Sequence, residues 1–376
     1  MKEDMTMKKQ TILIAALLGA LVLLGGCNKT GLTGKGGEIT FGSVSNGAQT
    51  RAQYGDDFTN PNDNKLYSAI KWETGDIVRI ISPEAAVTGD GSNLHWADYT
   101  VKSVSQQSDG TSAALVNTNP NGLAWTGKET YSFYSVYPST APISLEEATY
   151  GQVSADFIKA AQTLPATTAT KTVGEGEEAI TYTVYTPDIK SAVMTAVATG
   201  VKENDEKPQV VLHFKPAWTA VEINLSSLDD DIDVTEVQLV ADAESTDYLA
   251  GSFTMTAGNL ASVAVNTASA SKTVTLSAGE GVTVTKTAGA TFTMLLLPVN
   301  NTAALKLRIT SKEGDGTKTS VVTLKKSGQP FVFEAGKKVR INGLKAPGSS
   351  WKIFIATDIL NVEDWGTPVD TELIVE

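Results

Sequence analysis

Short runs of alternating apolar and polar residues follow one another along most of this chain. Because side chains on a strand point to opposite faces in turn, each run predicts a strand with one buried face. The runs cover residues 38–41, 76–81, 181–185, 220–225, 273–276, 282–284, 292–297, 305–309, 320–324, 331–333, 338–341, 351–355 and 371–375. They recur about every ten residues with Gly, Asn, Asp and Pro between them, a spacing that predicts an all-β sandwich.

One run differs from the others because it is apolar on both faces. Residues 131–137 read Tyr-Ser-Phe-Tyr-Ser-Val-Tyr, which predicts a central strand covered by two layers. Pro138 ends this run because proline cannot donate to a strand ladder. Helix signals are confined to a capping box at residues 144–147, and Gly151 and Pro165 limit the length of any helix that begins there. We therefore predict at most one short helix.

A charged segment divides the strand runs roughly in half. Residues 201–208 are rich in Lys, Glu and Asp and poor in apolar side chains. The chain has 376 residues, which exceeds the usual size of one domain. We therefore predict two β-sandwich domains, at residues 38–206 and 207–376.

The first residues have the features of an export signal. Lys8 and Lys9 precede an apolar run over residues 11–24, which is too short to span a bilayer comfortably. The run leads into Gly25-Gly26-Cys27, and small residues directly before a cysteine resemble the bacterial lipobox. Cys27 is also the only cysteine in the chain.

This pattern predicts a lipoprotein. Residues 1–26 would be a signal peptide cleaved between Gly26 and Cys27, and Cys27 would carry lipid. Residues 27–37 are rich in Gly, Thr and Lys and predict a flexible tether. With Cys27 acylated, no thiol remains for a disulfide or a zinc–thiolate site. The alternatives are an ordinary signal peptide with an incidental cysteine, or a buried core thiol.

Composition and charge restrict the partners. Hydrophobic residues make up 41% of the chain, which is enough for a core without disulfides. The net charge is −12, and because residues 1–26 carry three lysines against two acidic residues, the remainder carries −13. An acidic surface argues against nucleic acid as a partner, because phosphates require a basic patch.

Patterns that indicate catalysis or a bound metal are lacking in the sequence. His95 and His213 are far apart, and no nucleophile elbow, HExxH or P-loop occurs. Residues 229–233 are acidic, but an EF-hand loop starting there would need glycine at Val234 and glutamate at Val240, so we predict a solvated acidic turn. We therefore predict no catalytic residue, no metal and no cofactor. The six tryptophans could line a sugar platform, but their spread is more typical of core anchors.

Several segments in order resemble the fimbrillin-like lipoproteins, the type V pilin family of major and accessory fimbrillins of Gram-negative anaerobes. The segments are the lipobox and tether leading into residues 39–41 and 49–52, then residues 70–80, 131–138, and 212–216 leading into 220–223. The resemblance implies two tandem transthyretin-like Greek-key β-sandwich domains after a lipoprotein signal peptide. It also implies a surface-exposed location at the cell outer membrane and in a fimbrium.

The resemblance further implies proteolytic processing. In this family a protease cuts after an arginine in the loop following the first strand, and a strand from another subunit fills the groove. Three of the four arginines lie inside alternating runs: Arg79, Arg308 and Arg340. The fourth, Arg51, lies in a predicted loop over residues 45–51. We predict a cut between Arg51 and Ala52 that releases residues 39–44; the alternative is an uncut surface loop.

The carboxyl end supplies the candidate donor strand. Leu373, Ile374 and Val375 belong to a terminal alternating run that is suited to leave its own sheet and pair with another subunit. The alternative is a final strand packed in its own domain.

These inferences predict a non-enzymatic structural or accessory subunit of a surface fimbria, assembled by strand exchange and contributing to adhesion. Its predicted partners are the outer membrane through the lipid anchor, other fimbrial subunits by β-strand complementation, and a receptor on a host or bacterial surface. The alternative is a non-polymerising, lipid-anchored surface module that binds a glycan or protein ligand. A third interpretation is a carbohydrate-active enzyme on a β-sandwich. No sequence pattern supports it, but the sequence alone does not test it, because the two carboxylates that hydrolyse a glycosidic bond come together only in the folded chain.

Overall fold

The computed structural model describes residues 37–44, 49–60, 65–87, 94–104, 112–118, 121–165, 167–173, 176, 179–203, 209–227, 230–302, 304–326, 331–346, 352–353, 357–361 and 373–375. Within these ranges the protein consists almost entirely of strands and the turns between them. A 3-10 turn forms at Glu147–Thr149, and no α-helix occurs in the described part of the chain. The predicted all-β class is therefore confirmed.

The described strands are numbered in chain order. The first sixteen are β1 (Thr40–Val44), β2 (Gln49–Asn60), β3 (Lys65–Lys71), β4 (Ile77–Ile81), β5 (Ala86–Val87), β6 (Trp96–Val104), β7 (Ser112–Asn117), β8 (Leu123–Ala124), β9 (Tyr131–Tyr137), β10 (Gln152–Ile158), β11 (Ala161–Thr163), β12 (Thr167–Val173), β13 (Ile180–Tyr185), β14 (Met194–Val201), β15 (Gln209–His213) and β16 (Lys215–Pro216). The remaining strands are β17 (Thr219–Ser227), β18 (Ile232–Ala241), β19 (Gly251–Thr256), β20 (Asn259–Val265), β21 (Thr273–Val284), β22 (Ala288–Leu296), β23 (Val299–Thr302), β24 (Ala304–Glu313), β25 (Gly316–Lys326), β26 (Phe331–Phe333), β27 (Lys337–Ala346), β28 (Lys352–Ile353), β29 (Thr357–Asn361) and β30 (Leu373–Val375).

Three larger sheets organise most of these strands. An eight-stranded sheet has the order β15-β1-β7-β6-β4-β9-β14-β16. A nine-stranded sheet has the order β12-β13-β22-β17-β27-β29-β3-β2, with β28 also pairing with β27, and a six-stranded sheet has the order β11-β21-β18-β24-β25-β30. The smaller sheets are β10-β19-β20, β23-β26 and β5-β8.

Alternation in the sequence matches burial in many strands. In β24, Leu305, Leu307 and Ile309 are buried while the residues between them are more exposed. The predicted central strand at residues 131–137 is β9, which pairs with β4 on one side and β14 on the other. These inward side chains belong to one continuous hydrophobic core. Period-two patterning therefore predicts the core face of these strands correctly.

Two neighbouring strands of the nine-stranded sheet are buried on both faces. Every residue of β17 is buried, and so is every residue of β22 after the first. One face of β17 carries Val221, Ile223 and Leu225, and the other carries Glu222 and Asn224. The alternation at residues 220–225 predicts one exposed face, so the structure corrects that expectation.

The predicted capping box does not form. Ser144 would have to accept a bond from the backbone of Glu147, but its hydroxyl oxygen instead accepts a hydrogen bond from the Glu146 N–H at 3.3 Å. The residue that begins the turn has no side-chain cap. Gly151 comes next with φ at +80°, and a Cβ there would lie 2.6 Å from the Tyr134 ring. The chain therefore turns sharply into β10 after one 3-10 turn.

The sheets draw strands from both sides of the predicted domain boundary. β15 and β16 complete the eight-stranded sheet of amino-terminal strands, while β12 and β13 join the nine-stranded sheet. Residues 38–376 form one compact unit. The division into residues 38–206 and 207–376 stays a prediction.

Candidate functional site

The first strand, β1, lies inside the eight-stranded sheet and not at its edge. Its five residues pair in parallel with β15, and four of them, from Phe41 to Val44, pair antiparallel with β7. Just before the strand, the Ile39 N–H donates a hydrogen bond to the Leu123 carbonyl oxygen at 2.8 Å. Removing a strand that is held on both sides exposes two unpaired strand edges.

The inward side chains of β1 and the residue before it are anchored in an aromatic cluster. Ile39 and Phe41 are each 1% exposed. The Phe41 ring meets the rings of Tyr99 and Phe133 edge-on, with centroids 5.0 and 5.2 Å apart. Leu115 lies directly opposite Phe41 on β7. We call the space that β1 fills between β15 and β7, lined by Tyr99, Leu115 and Phe133, the β1 groove.

The next inward residue of β1 is polar. Ser43 is 1% exposed and lies opposite Ala113 on β7 and Leu212 on β15, both of which are buried. Its hydroxyl oxygen has no hydrogen-bond partner in the part of the chain that the structure describes. A buried hydroxyl without a partner costs about 1–3 kcal/mol. The β1 groove is therefore filled well at Phe41 and poorly at Ser43.

The outward side of β1 is covered by flexible polar side chains. Glu38 accepts a hydrogen bond from the Asn117 amide at 2.5 Å. Burial raises the pKa of Glu38, and the bond from Asn117 partly opposes this rise. A Cβ at Gly42 would lie 2.8 Å from the side chain of Gln209, so Gln209 rests on this glycine. A strand with a larger residue at the Gly42 position would have to displace Gln209.

Arg51 lies in β2 and not in the open loop that the sequence predicts. For residues 49–51 the loop prediction was wrong, because residues 49–60 lack alternation but gain a ladder by pairing with β3. The pairing is irregular around the arginine, because Gln49 and Gln53 both lie opposite Lys71. β2 is also the last strand of its sheet. The cut between Arg51 and Ala52 stays a prediction, and residues 45–48 lie outside the described ranges.

The candidate donor strand is paired within its own chain. Leu373, Ile374 and Val375 form β30, which lies antiparallel to β25 as the last strand of the six-stranded sheet. Three residue pairs hold it there. Donation of the strand to another subunit stays a prediction, and so does the alternative of a final strand packed in its own domain.

A buried cluster of charges lies on the second face of the nine-stranded sheet. Glu222 on β17 accepts a hydrogen bond from Arg340 Nε at 2.5 Å and pairs with Lys338 Nζ at 2.7 Å, both on β27. Lys171 on β12 also donates to Glu222. Burial alone would raise the pKa of Glu222, but the three cations, Lys338 foremost, hold it well below its ordinary value. We call these four residues the Glu222 cluster; it joins three strands.

The sequence candidates for catalysis and metal binding do not assemble. The His95 Nδ1–H donates a hydrogen bond to the Ala85 carbonyl oxygen at 2.6 Å, and His213 is exposed at the end of β15. In the acidic run, Asp233 accepts a hydrogen bond from the Thr283 hydroxyl at 2.5 Å. No group of three or more metal-ligating side chains occurs among the residues described.

The tryptophans whose side chains are described pack in the hydrophobic core or against it, as the spread of tryptophans along the sequence predicts. Four of the six are buried or half-buried against it: Trp72, Trp96, Trp125 and Trp218. The Trp72 ring meets the rings of Tyr137 and Phe214 edge-on, at 5.4 and 5.1 Å. The side chains of Trp351 and Trp365 lie outside the described ranges.

The predicted lipidation site also lies outside the described residues. Cleavage between Gly26 and Cys27 and lipid attachment to Cys27 therefore stay predictions. In the described part of the chain, no helix has the length and apolar character needed to cross a membrane.

The sequence patterns did not indicate Ser43, Gln209 or the Glu222 cluster. If the alternation of residues 38–41 is continued to residue 43, Ser43 lies on the same inward face as Phe41. For the Glu222 cluster no local signal exists, because charged residues alternating with apolar ones are typical of a solvent-facing strand surface.

Comparison with known proteins yields likeness to solved structures. No family model and no curated protein matches the chain. A proposed cell adhesion protein from Bacteroides uniformis has 13% sequence identity over 87% of this chain and 98% of its own, with a TM-score of 0.50. Another from Bacteroides ovatus has 15% identity over 87% of this chain and 100% of its own, with a TM-score of 0.47. The tip fimbrial protein Mfa3 from Porphyromonas gingivalis, with a C-terminal truncation, has 7% identity over 86% of this chain and 99% of its own, with a TM-score of 0.36.

The likeness to the Bacteroides uniformis protein concerns the fold. It shows that this arrangement of strands occurs, over nearly the full length of both chains, in a protein proposed to act in cell adhesion.

Proposed function

We propose that this chain is a structural or accessory subunit of a surface fimbria, assembled by strand exchange, and that it contributes to adhesion. The observation that carries the proposal is the position of β1, a five-residue strand between β15 and β7 with Phe41 seated in the β1 groove. Loss of this strand would open two strand edges and an apolar groove, which bind an extended segment strongly. The fold shared with a proposed cell adhesion protein supports the same function.

The proposed location rests on the lipobox. Cleavage behind Gly26 would leave Cys27 as the lipidated first residue, on the outer membrane and exposed at the surface. Acyl chains contribute about 0.8 kcal/mol per buried CH₂, so more than one chain gives a lasting anchor. The proposed partners are the outer membrane, other fimbrial subunits through strand complementation, and a surface receptor on a host or bacterial cell.

The cut after Arg51 is testable in shed fibres. We expect subunits recovered from fibres to begin at Ala52, and R51A to abolish both this amino terminus and the SDS-resistant ladders of polymers. Arg308 provides the control because it lies in β24, between β18 and β25 in the six-stranded sheet. R308A should still be cut and should still polymerise. Amino-terminal sequencing that finds Cys27 in polymerised subunits would contradict the cut.

The donor strand is testable by truncation. Deletion of residues 371–376 removes β30, which pairs with β25 at the edge of the six-stranded sheet through three residue pairs. We expect a folded monomer whose urea midpoint changes little but whose ladders are lost. Circular dichroism and SDS gels without boiling measure the two properties. Fibres of unchanged length would refute donation by this strand.

The alternative is a lipid-anchored surface module that binds a glycan or protein ligand and never polymerises. Its support is that β1 and β30 both pair within this chain, so the uncut protein has no need of another subunit to complete these two sheets. A chain that remains monomeric after cleavage at Arg51, and that binds a ligand on a glycan array, would favour this alternative.

A further inference from the structure

We propose that Ser43 makes β1 a weak occupant of the β1 groove. A strand from a second copy of this chain, with an aliphatic residue in the place of Ser43, would then displace β1. This inference rests on the proposed function. It states that one residue of β1, Ser43, favours replacement of β1 by the incoming strand.

The contrast with another buried serine of the same sheet supports this proposal. Ser135 on β9 is fully buried, and its hydroxyl donates a hydrogen bond to the Arg79 carbonyl oxygen at 2.9 Å. Ser43 is equally buried, yet its hydroxyl has no partner within the described residues, and its neighbours across the ladder are Ala113 and Leu212. The sheet therefore satisfies one buried serine and leaves the other as an uncompensated polar group.

The sequence of β30 carries the complementary pattern. Leu373 and Val375 are two residues apart and so share one face of a strand, as Phe41 and Ser43 do. When Leu373 takes the place of Phe41, Val375 takes the place of Ser43. Apolar side chains would then occupy both inward positions.

The outward position between these two inward positions, now occupied by Gly42, can also accommodate a residue of the incoming strand. Ile374 would replace Gly42, over which the Gln209 side chain now lies. Gln209 is a long side chain at the end of a strand, so it can rotate away without a change in the backbone. The displaced glutamine remains at the surface, where water satisfies its amide.

Hydrogen exchange of the uncut protein tests the role of Ser43 alone. We expect S43A to slow exchange of the β1 backbone amides about tenfold, because a tenfold change corresponds to about 1.4 kcal/mol and lies within the range for an unsatisfied hydroxyl. The matched control S135A removes a satisfied hydroxyl, so it should speed exchange in the same sheet. Exchange of β1 that is unchanged or faster in S43A would overturn the inference.

Displacement of β1 by a peptide tests the occupant. The full chain is cut with an arginine-specific protease, and a labelled peptide of residues 369–376 is added. We expect this peptide to displace β1 at least tenfold faster than the same peptide with V375S, and S43A to slow displacement by both peptides. Equal rates for the two peptides would overturn the inference.

The two measurements separate this inference from the proposed function. If the protein exchanges no strand after cleavage, the proposed function fails, while the hydrogen exchange of S43A still decides whether Ser43 weakens β1. If peptides displace β1 but S43A has no effect on either measurement, strand exchange stands and the role of Ser43 is wrong.

Discussion

Replacement of Glu222 with glutamine is expected to lower the free energy of unfolding by about 3–5 kcal/mol, because it leaves buried cations without their shared counter-ion. Lys338 and Arg340 are both buried and contact this carboxylate at 2.7 and 2.5 Å. Glutamine has nearly the same shape, so the loss reports charge and not packing. Urea unfolding followed by tryptophan fluorescence measures it, since Trp218 is buried directly before β17.

An exposed glutamate–lysine pair provides the matched control. Glu313 and Lys318 lie 3.6 Å apart, and their side chains are 66% and 44% exposed. Water screens such a pair, so E313Q should change the free energy of unfolding by no more than about 1 kcal/mol. Losses of similar size in E222Q and E313Q would show that the Glu222 cluster contributes no more than a surface ion pair.

The pH dependence of the same variant has a definite sign. The pKa of Glu222 is lower in the folded protein than its ordinary value of 4.5, so the stability it contributes is fully present above about pH 4.5. This stability is lost as the pH falls below 4.5 toward the lowered pKa, because the unfolded chain then binds the proton more readily. The difference between the wild-type protein and E222Q should therefore be largest near pH 7 and should narrow on acidification.

The sequence predicts strands well where one face is buried and the other is not. In β24 the alternation of residues 305–309 is the alternation of burial, because the two faces meet different surroundings. In β17 the same alternation is misleading, because the charged face is covered as well. Burial of Glu222 depends on the cationic side chains of Lys171 and of β27, which lie far from Glu222 in the sequence. No local sequence pattern indicates that these distant charges form ion pairs.

The inward position of Phe41 in the candidate site was predictable from the sequence, but the partners of its strand were not. The alternation around Phe41 places that ring inward, and the resemblance to fimbrillins draws attention to the first strand. The parallel pairing of β1 with β15 joins residues about 170 positions apart, and local propensity carries no information on a contact of that range. That pairing places the apolar side chain of Leu212, which has no hydrogen-bonding group, opposite Ser43, whose hydroxyl has no partner among the described residues.

Truncation of Phe41 to alanine is expected to lower the free energy of unfolding by about 3–5 kcal/mol, the usual range for a buried phenylalanine. The ring is 1% exposed, and it loses edge-on contacts to Tyr99 and Phe133, each worth about 0.5–1.5 kcal/mol beyond the buried area. Because β1 is only five residues long, we expect hydrogen exchange of its amides to rise more than exchange elsewhere in the sheet.

A solvent-facing truncation on the neighbouring strand provides the control. Val211 on β15 lies opposite Gly42 in the ladder but is 40% exposed. V211A should therefore change the free energy of unfolding by about 0.5 kcal/mol or less. If F41A and V211A lose similar stability, Phe41 does not anchor β1 and the groove cannot hold a strand through this position.

The changes in β1 hydrogen exchange expected for F41A and S43A have opposite signs, and this difference links the stability of β1 to strand exchange. Both variants shorten side chains on the same face of β1, two residues apart, yet F41A should speed β1 exchange while S43A should slow it. A general loosening of the sheet would move both variants in the same direction. Opposite signs would mean that Phe41 supplies the affinity of the resting strand and Ser43 limits it, so that β1 is firmly held in the uncut subunit and still replaceable after cleavage.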